Sequence, residues 1–408
     1  MLNPLPVVVA DIRRSRAGFL AVAGLIAVAV ALGVAVSAQE RALRKGSARA
    51  ADAFDLLVGA PGSPTQLVLT SVYLQPAALP LVPGTVLQRL QEEPGVASVA
   101  PIAFGDRFRG FPVIGTTAPF ATQGGKLSPV EGRVFAAEGE VVIGAEVSLR
   151  IGERFSPSHG LAVRGAEADE DQGHVHRGVE YVVVGRMPRL GTPWDRAILV
   201  PVESVWEVHG LPNGHAQGVE RIGPPWEGPE VPGVPAIAVK PKTVADAYTL
   251  RGKYRSGGTT ALFPAEVLVE LYGLLGDARD LLAAISVATQ ALVIAAILLA
   301  VFASLALRRR QLAILRALGA SRRYVFAVVW THVSLMIALG ALLGLVVGWA
   351  GAVALSAAFS LRTGIALSAT LALQEVAMAA AVIGIGMLLA GIPSWSSYRQ
   401  SVSSGLRS

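Results

Sequence analysis

Four stretches of the chain are apolar for long enough to cross a bilayer, where about 20 predominantly apolar residues are needed. Residues 17–38 contain no charge, residues 281–307 are interrupted by Gln290 and small hydroxyls, residues 324–355 contain His332, and residues 371–392 carry Gln374 and Glu375 near their start. Glu375 is expected to snorkel toward headgroups. Between the first two stretches the pattern changes. Prolines, charges and turn formers divide residues 39–280 into short alternating or apolar runs: "FDLLVGA" (54–60), "GFPVIGTT" (110–117), "GEVVIGAE" (139–146), "EYVVVGR" (180–186), "RAILVPV" (196–202) and "PAIAVKP" (235–241). Runs bounded in this way predict strands. "PGTVLQRLQEEPGV" predicts a short helix stopped by Pro94 and Gly95. Residues 40–53 predict a helix leaving the first span, and residues 261–276 a helix entering the second. No internal repeat is visible. The pattern predicts an α-helical membrane protein with four transmembrane helices and a large mixed α/β extracytoplasmic domain inserted between helices one and two. Val36-Ser37-Ala38 resembles a signal-peptidase site, but the preceding apolar run exceeds the usual core of about 7–15 residues, so a retained anchor is expected.

Composition agrees. The chain of 408 residues is 52% hydrophobic and 16% charged, against roughly a quarter charged for soluble domains, and its mean hydropathy is +0.53. Net charge is +6, but the arginines are clustered and not interleaved with aromatics, which excludes a nucleic-acid platform. The absence of cysteine excludes disulfides, Cys-ligated zinc and thiol catalysis. Arg13, Arg14 and Arg16 precede the first span, six arginines lie between the second and third, and Arg399 and Arg407 follow the fourth. Positive-inside bias then places residues 1–16, 308–323 and 393–408 in the cytoplasm and residues 39–280 and 356–370 outside. The expected location is a cell membrane, crossed several times. Arg41, Arg44, Lys45 and Arg49 run against this bias, at the start of a long external domain where the rule is weaker.

The stretch "RRRQLAILRALGASRRY" (308–324) holds the six arginines. Leu312, Ile314, Leu315 and Leu318 are spaced to share one helical face. Gly319 suits a left-handed stop and Ser321 a cap for the next helix. Arg308, Arg309, Arg310 and Arg316 set topology and meet anionic lipid, while the short apolar face fits a groove on a cytoplasmic partner. In the third span Gly340, Gly344 and Gly348 form two successive G-x-x-x-G steps, which let helices approach closely, either within the subunit or at a dimer seam. His332 lies on the same ridge. Outside, "EADEDQGHVH" (167–176) brings Asp171, His174 and His176 together. Its bland reading is a solvated acidic loop between strands; its functional reading is a weak zinc loading or sensing site. No phosphate-binding loop and no nucleophile elbow is visible.

"RRRQLAILRALGASRRYVF", followed by a Gly-rich membrane helix, resembles the signature of FtsX/MacB-type permeases, the type VII ABC transporter fold. The order of one span, an external domain and three spans agrees with that family, and "IPSWSSYR" (392–399) resembles the exit from its last span. The tail "QSVSSGLRS" keeps only Leu406-Arg407 of the family's ending. Two external stretches, "DLLVGAPGSPTQLVLTSVYLQ" (55–75) and "GTPWDRAILVPVESVWEVHG" (191–210), resemble a subgroup associated with zinc-responsive gene clusters. The resemblance implies a homodimer in which each copy docks a cytoplasmic ATPase through residues Arg308 to Ala320. ATP and magnesium would be bound by that ATPase and no cofactor by this chain, apart from zinc on the external loop. A periplasmic binding or adaptor protein is a further implied partner. Three readings compete: a transporter permease working by mechanotransmission, a membrane adaptor controlling an external cell-wall hydrolase, and a membrane enzyme.

Overall fold

The structure, a computed structural model, describes residues 3–159, 174, 175, 178–273, 319–392, 394 and 395, with isolated positions between 274 and 318. In chain order the elements are helices α1 (Leu5–Arg14) and α2 (Arg16–Ala51), strand β1 (Leu56–Gly59), helices α3 (Pro64–Ser71) and α4 (Gly84–Glu92), strands β2 (Val96–Phe108) and β3 (Phe111–Thr116), and helix α5 (Ala118–Ala121). Strands β4 (Glu131–Gly132), β5 (Glu140–Ile143), β6 (Arg154–Phe155), β7 (Ser158–His159), β8 (His174–Val175), β9 (Tyr181–Arg186) and β10 (Ile198–Pro201) follow. The chain continues through α6 (Val202–Val208), β11 (Ala236–Pro241), α7 (Val244–Tyr254), β12 (Thr260–Leu262), α8 (Arg322–Thr363) and α9 (Leu373–Leu389). It divides into two units. One comprises residues 1–44, 274–358 and 367–408; the other comprises residues 45–273 and 359–366.

The second unit is the mixed α/β domain. Its main strand order is β12-β1-β11-β2-β3-β10-β5-β9-β4. The first four strands and helices α4 and α7 form a β-α-β-β-α-β arrangement, with every adjacent pair antiparallel. The rest of the sheet is inserted between β2 and β11. Strand β2 serves both halves: Val96 to Ile102 pairs with β11, and Ala103 to Phe108 pairs with β3 across a register shift. In the inserted half, β3–β10 and β5–β9 are parallel. Both faces of the sheet are covered, so β1, β10 and the first four residues of β11 are buried throughout. Leu56, Val58, Ile237 and Val239 join the core under α4 and α7, together with Trp206 and Trp226. Leu57, Ala236 and Ala238 face the other core, with Phe54, Leu67, Val68 and Ile114. Residues 359–366 belong to this unit: Ala366 N–H donates to Gly191 O at 2.9 Å and Arg196 Nη1 to Arg362 O at 3.3 Å.

All six predicted strands and the α4 helix are present. The expected helix over 261–276 is corrected at its start. Residues 260–262 extend the sheet on β1, and helix begins at residue 264; Phe263-Pro264 ends the strand, since proline at a first helical turn supplies no ladder donor. The sequence pattern missed α3, α6, α7 and the long β2, whose burial is interrupted at Ala97, Ser98 and Gly105 and whose apolar pattern is broken by the buried Asp106.

The first unit contains the apolar helices. Among the described residues α2 and α8, of 36 and 42 residues, are long and apolar enough to cross a membrane, and α9 is a shorter apolar helix of 17 residues. The expected span at 281–307 lies outside the described residues apart from isolated helical positions. Helix α8 continues past residue 355 to Thr363, and α9 begins at Leu373.

Candidate functional site: the helix interface and the capped turn

Helices α2 and α8 meet along a seam of small residues. A Cβ on Gly340 would stand 2.7 Å from Ala23 O, one on Gly344 2.6 Å from Ala27 O, and one on Gly348 2.6 Å from Ala31 O. Real side chains do not approach backbone this closely, so glycine is required at each step. The partners Ala23, Ala27 and Ala31 are themselves four apart, giving two small-residue ridges in register. Of the two expectations for the glycine ridge, the geometry within the chain is that of packing inside the subunit, against α2. Both series rise together, so α2 and α8 run parallel. Ile26, Val30, Val34, Val333, Met336 and Ile337 complete this core. Helix α9 joins it through Gly386, whose added Cβ would lie 2.8 Å from Ile337 Cγ2, and through Trp330 Nε1, which donates to Met387 O at 3.0 Å.

A polar clamp closes one end of the bundle. The carboxylate of Glu375, with a side chain 0% exposed, accepts from Ser37 Oγ at 2.7 Å, Arg41 Nη1 at 2.6 Å, Arg41 Nη2 at 3.0 Å and Ala372 N at 2.8 Å. Arg41 Nη2 also donates to Thr370 O at 2.6 Å, and Ser356 Oγ on α8 donates to Gln39 Oε1 at 3.0 Å. The snorkelling expectation for Glu375 is therefore corrected. A carboxylate at this depth is stable because a guanidinium fork, a hydroxyl and a helix-start N–H saturate it. The clamp also accounts for Arg41, which runs against the charge bias of the sequence. Each half has a local spacing that suits it, Ser37 and Arg41 four apart on one face of α2 and Glu375 three residues after the helix-preceding Ala372, but nothing in the sequence pairs the two halves.

At the other end, Asp11 Oδ2 of α1 lies 3.4 Å from His332 Nδ1, and Phe19 meets the imidazole edge-on at 5.7 Å. His332 is thus a packed polar contact between α1, α2 and α8. The turn before α8 has the expected geometry. Gly319 adopts φ +99° and its N–H donates to Arg316 O at 3.1 Å. Ser321 Oγ accepts from Tyr324 N at 3.2 Å, capping α8, with Arg322 and Arg323 in the first turn. Ile314 is helical and 45% exposed. Arg308, Arg309, Arg310, Leu312, Leu315 and Leu318 lie outside the described residues, as do Asp171 and His176; for His174 only the backbone is described, pairing with His159. Among the described residues no group of three His, Asp or Glu side chains is placed to hold a metal.

The structural comparisons find similarity to the periplasmic region of MacB from Actinobacillus actinomycetemcomitans, at 10% identity over 55% of this chain and 95% of that one, with a TM-score of 0.33. They also find the extracellular domain of the noncanonic ABC-type transporter YknZ from Gram-positive bacteria, at 13% identity over 51% of this chain and 98% of that one, with a TM-score of 0.29. No curated protein sequence matches the chain. The family model for the FtsX-like permease C-terminal region matches residues 283–402, which include the arginine-rich stretch, the capped turn, the three seam glycines and Glu375. The C-terminal part of the chain is thus similar in sequence to FtsX-like permease C-terminal regions.

Proposed function

We propose that the chain couples ATP hydrolysis by a separate cytoplasmic ATPase to conformational change of its mixed α/β domain, and that this movement shifts or releases a substrate outside the membrane. The observation that carries this reading is the family match over residues 283–402, which contains a sharply terminated amphipathic turn feeding directly into a long helix. Gly319 and Ser321 fix where that turn ends and α8 begins. A push on the turn then loads α8, and the α2–α8 seam and the Glu375 clamp pass the load to α2 and α9, because close-packed interfaces transmit displacement with little compression. Helix α2 continues beyond the length a hydrocarbon core of about 30 Å requires and serves as the stalk on the external side. Two copies acting together, each with one ATPase subunit, complete the assembly.

The test is Leu315→Asp. An ionised group in a packed groove without a counter-charge costs on the order of several kcal/mol. ATPase co-purification and stimulated ATP hydrolysis should be lost while membrane insertion is retained, since the arginines that set topology are untouched. Full docking by Leu315→Asp would reduce the stretch to a topology anchor.

A further inference from the structure

The α/β unit holds a cavity of 310 Å³ with an uncommon charge pattern. Its apolar lining includes Ala100 of β2, Leu199 of β10 and Ala238 of β11, beside an aromatic wall of Phe54, Phe120 and Trp194. The three rings touch one another, with centroids 5.6, 5.8 and 5.2 Å apart. One border is a turn after α5 in which Gln123, Gly124 and Gly125 all take positive φ, of 48°, 71° and 85°. Thr122 Oγ1 pins that turn, donating to Ala118 O at 3.0 Å and accepting from Gly125 N at 3.2 Å. A non-glycine residue held left-handed beside a cavity is the kind of strain that collects at ligand clamps.

Five charged side chains line the same cavity: Arg49, Lys126 and Lys240, and Asp52 and Asp55. Elsewhere on this unit several surface charges are paired, as in Arg133–Glu140, Arg154–Glu180, Arg189–Glu146, Arg251–Glu266 and Lys253–Glu93. The five lining the cavity form no ion pair among the described residues, although both signs are present. A sixth charged residue, Asp195, is committed to its own loop, accepting from Leu190 N at 2.8 Å and Gly191 N at 2.7 Å.

We propose that this cavity binds a small zwitterion with an aromatic body, of dipeptide size. The rings would take the apolar body, Lys126, Lys240 and Arg49 the anionic group, and Asp52 and Asp55 the ammonium. A ligand of one sign would leave one half of this lining without a counter-charge, which is why both charges belong to the ligand. The volume is at the lower end of the range of about 300–1,000 Å³ for small-molecule sites, too small for a lipid with two acyl chains.

The experiment is calorimetry on the full chain in lipid nanodiscs, using phenylalanyl-phenylalanine, its N-acetyl derivative and its amide as probes. The free dipeptide should bind saturably, and loss of either terminal charge should weaken binding by about tenfold or more. Lys126→Glu with Lys240→Glu changes only exposed side chains. This double variant should keep its melting temperature and lose binding by about tenfold or more. Ala238→Phe should fill the floor and abolish binding. The proposal is overturned if the wild type gives no saturable heat, if the double lysine variant binds like wild type, or if the N-acetyl derivative binds as tightly as the free dipeptide.

Discussion

In the α/β unit the largest fully buried side chains include Trp206, Trp226, Tyr181, Leu56 and Leu87; between α2 and α8 the closest contacts are made by three glycines and three alanines. The two units differ in how they treat charge as well. The α/β unit keeps its arginine–carboxylate pairs at the surface, such as Arg251–Glu266 and Arg154–Glu180, and its fully buried Glu203 meets no guanidinium, accepting from Trp226 Nε1 at 2.7 Å and Gly223 N at 2.8 Å with the buried His215 Nε2 at 3.5 Å. The membrane unit buries Glu375 against a guanidinium. The difference follows from the solvent. In water, large apolar side chains gain by leaving it, at roughly 25 cal/mol per Å². In lipid that gain vanishes, and association rests on close approach and on polar groups that have no other partner.

The sharpest way to break this comparison is Arg41→Ala. It leaves the Glu375 carboxylate buried without its counter-charge, and breaking such a pair costs about 3–5 kcal/mol. Thermal unfolding in nanodiscs should show a large loss, and Glu375→Gln a smaller one, because Ser37 and the Ala372 N–H still face the amide. Equal melting of Arg41→Ala and wild type would remove the clamp from the account. Next in size is Gly344→Leu. Overpacking costs about 1–3 kcal/mol, and here the first added atom already collides with Ala27 O. Gly351 lies on the same helix with open space around its Cβ position, so Gly351→Leu should melt like wild type. If both leucines behave alike, the seam is not what holds α2 to α8.

The smallest effect concerns pH. In the α/β unit the Glu138 carboxyl is pushed up to about 7, by burial first and then by its hydrogen bond with Glu207 and the charges of Glu207, Glu203 and Glu220. A carboxyl raised in the folded state binds its proton more tightly than in the unfolded chain. Its contribution is therefore full below its unfolded value of 4.5 and is lost as pH rises through about 7. Melting of the full chain should fall across that window, and Glu138→Gln should flatten the slope. An unchanged slope would mean that the pair is solvated and uncoupled from folding.

What could be read in advance follows the same division. The six strands showed because a short apolar run between turn formers has few other outcomes, and Gly319 and Ser321 showed because cap chemistry is local. Strand β2 did not, since one strand that serves two neighbours in turn loses its alternation at Gly105 and Asp106. The clamp did not, because Arg41 and Glu375 are far apart in sequence and each has an ordinary explanation alone. The glycine spacing announced a close contact without naming its partner; Ala23, Ala27 and Ala31 supply the partner only once both helices are in view. The cavity was illegible because its lining comes from α2, β2, the turn after α5, the Trp194 loop and β11.

The place where the sheet is extended has a consequence for how such a domain can diversify. The chain leaves the β-α-β-β-α-β scaffold after Ile102 and returns at Ala236, and those two residues face each other as a ladder pair. Exit and re-entry are thus one inter-strand spacing apart, about 4.8 Å. Whatever is spliced in between meets the scaffold through a gap of fixed width. Its outer turns can be lengthened or shortened without changing that gap, while Trp206 and Trp226, which pack into the core under α4 and α7, tie the insert to its frame. The domain is built like a socket with a fitted plug, variable at the far end and fixed where the two meet.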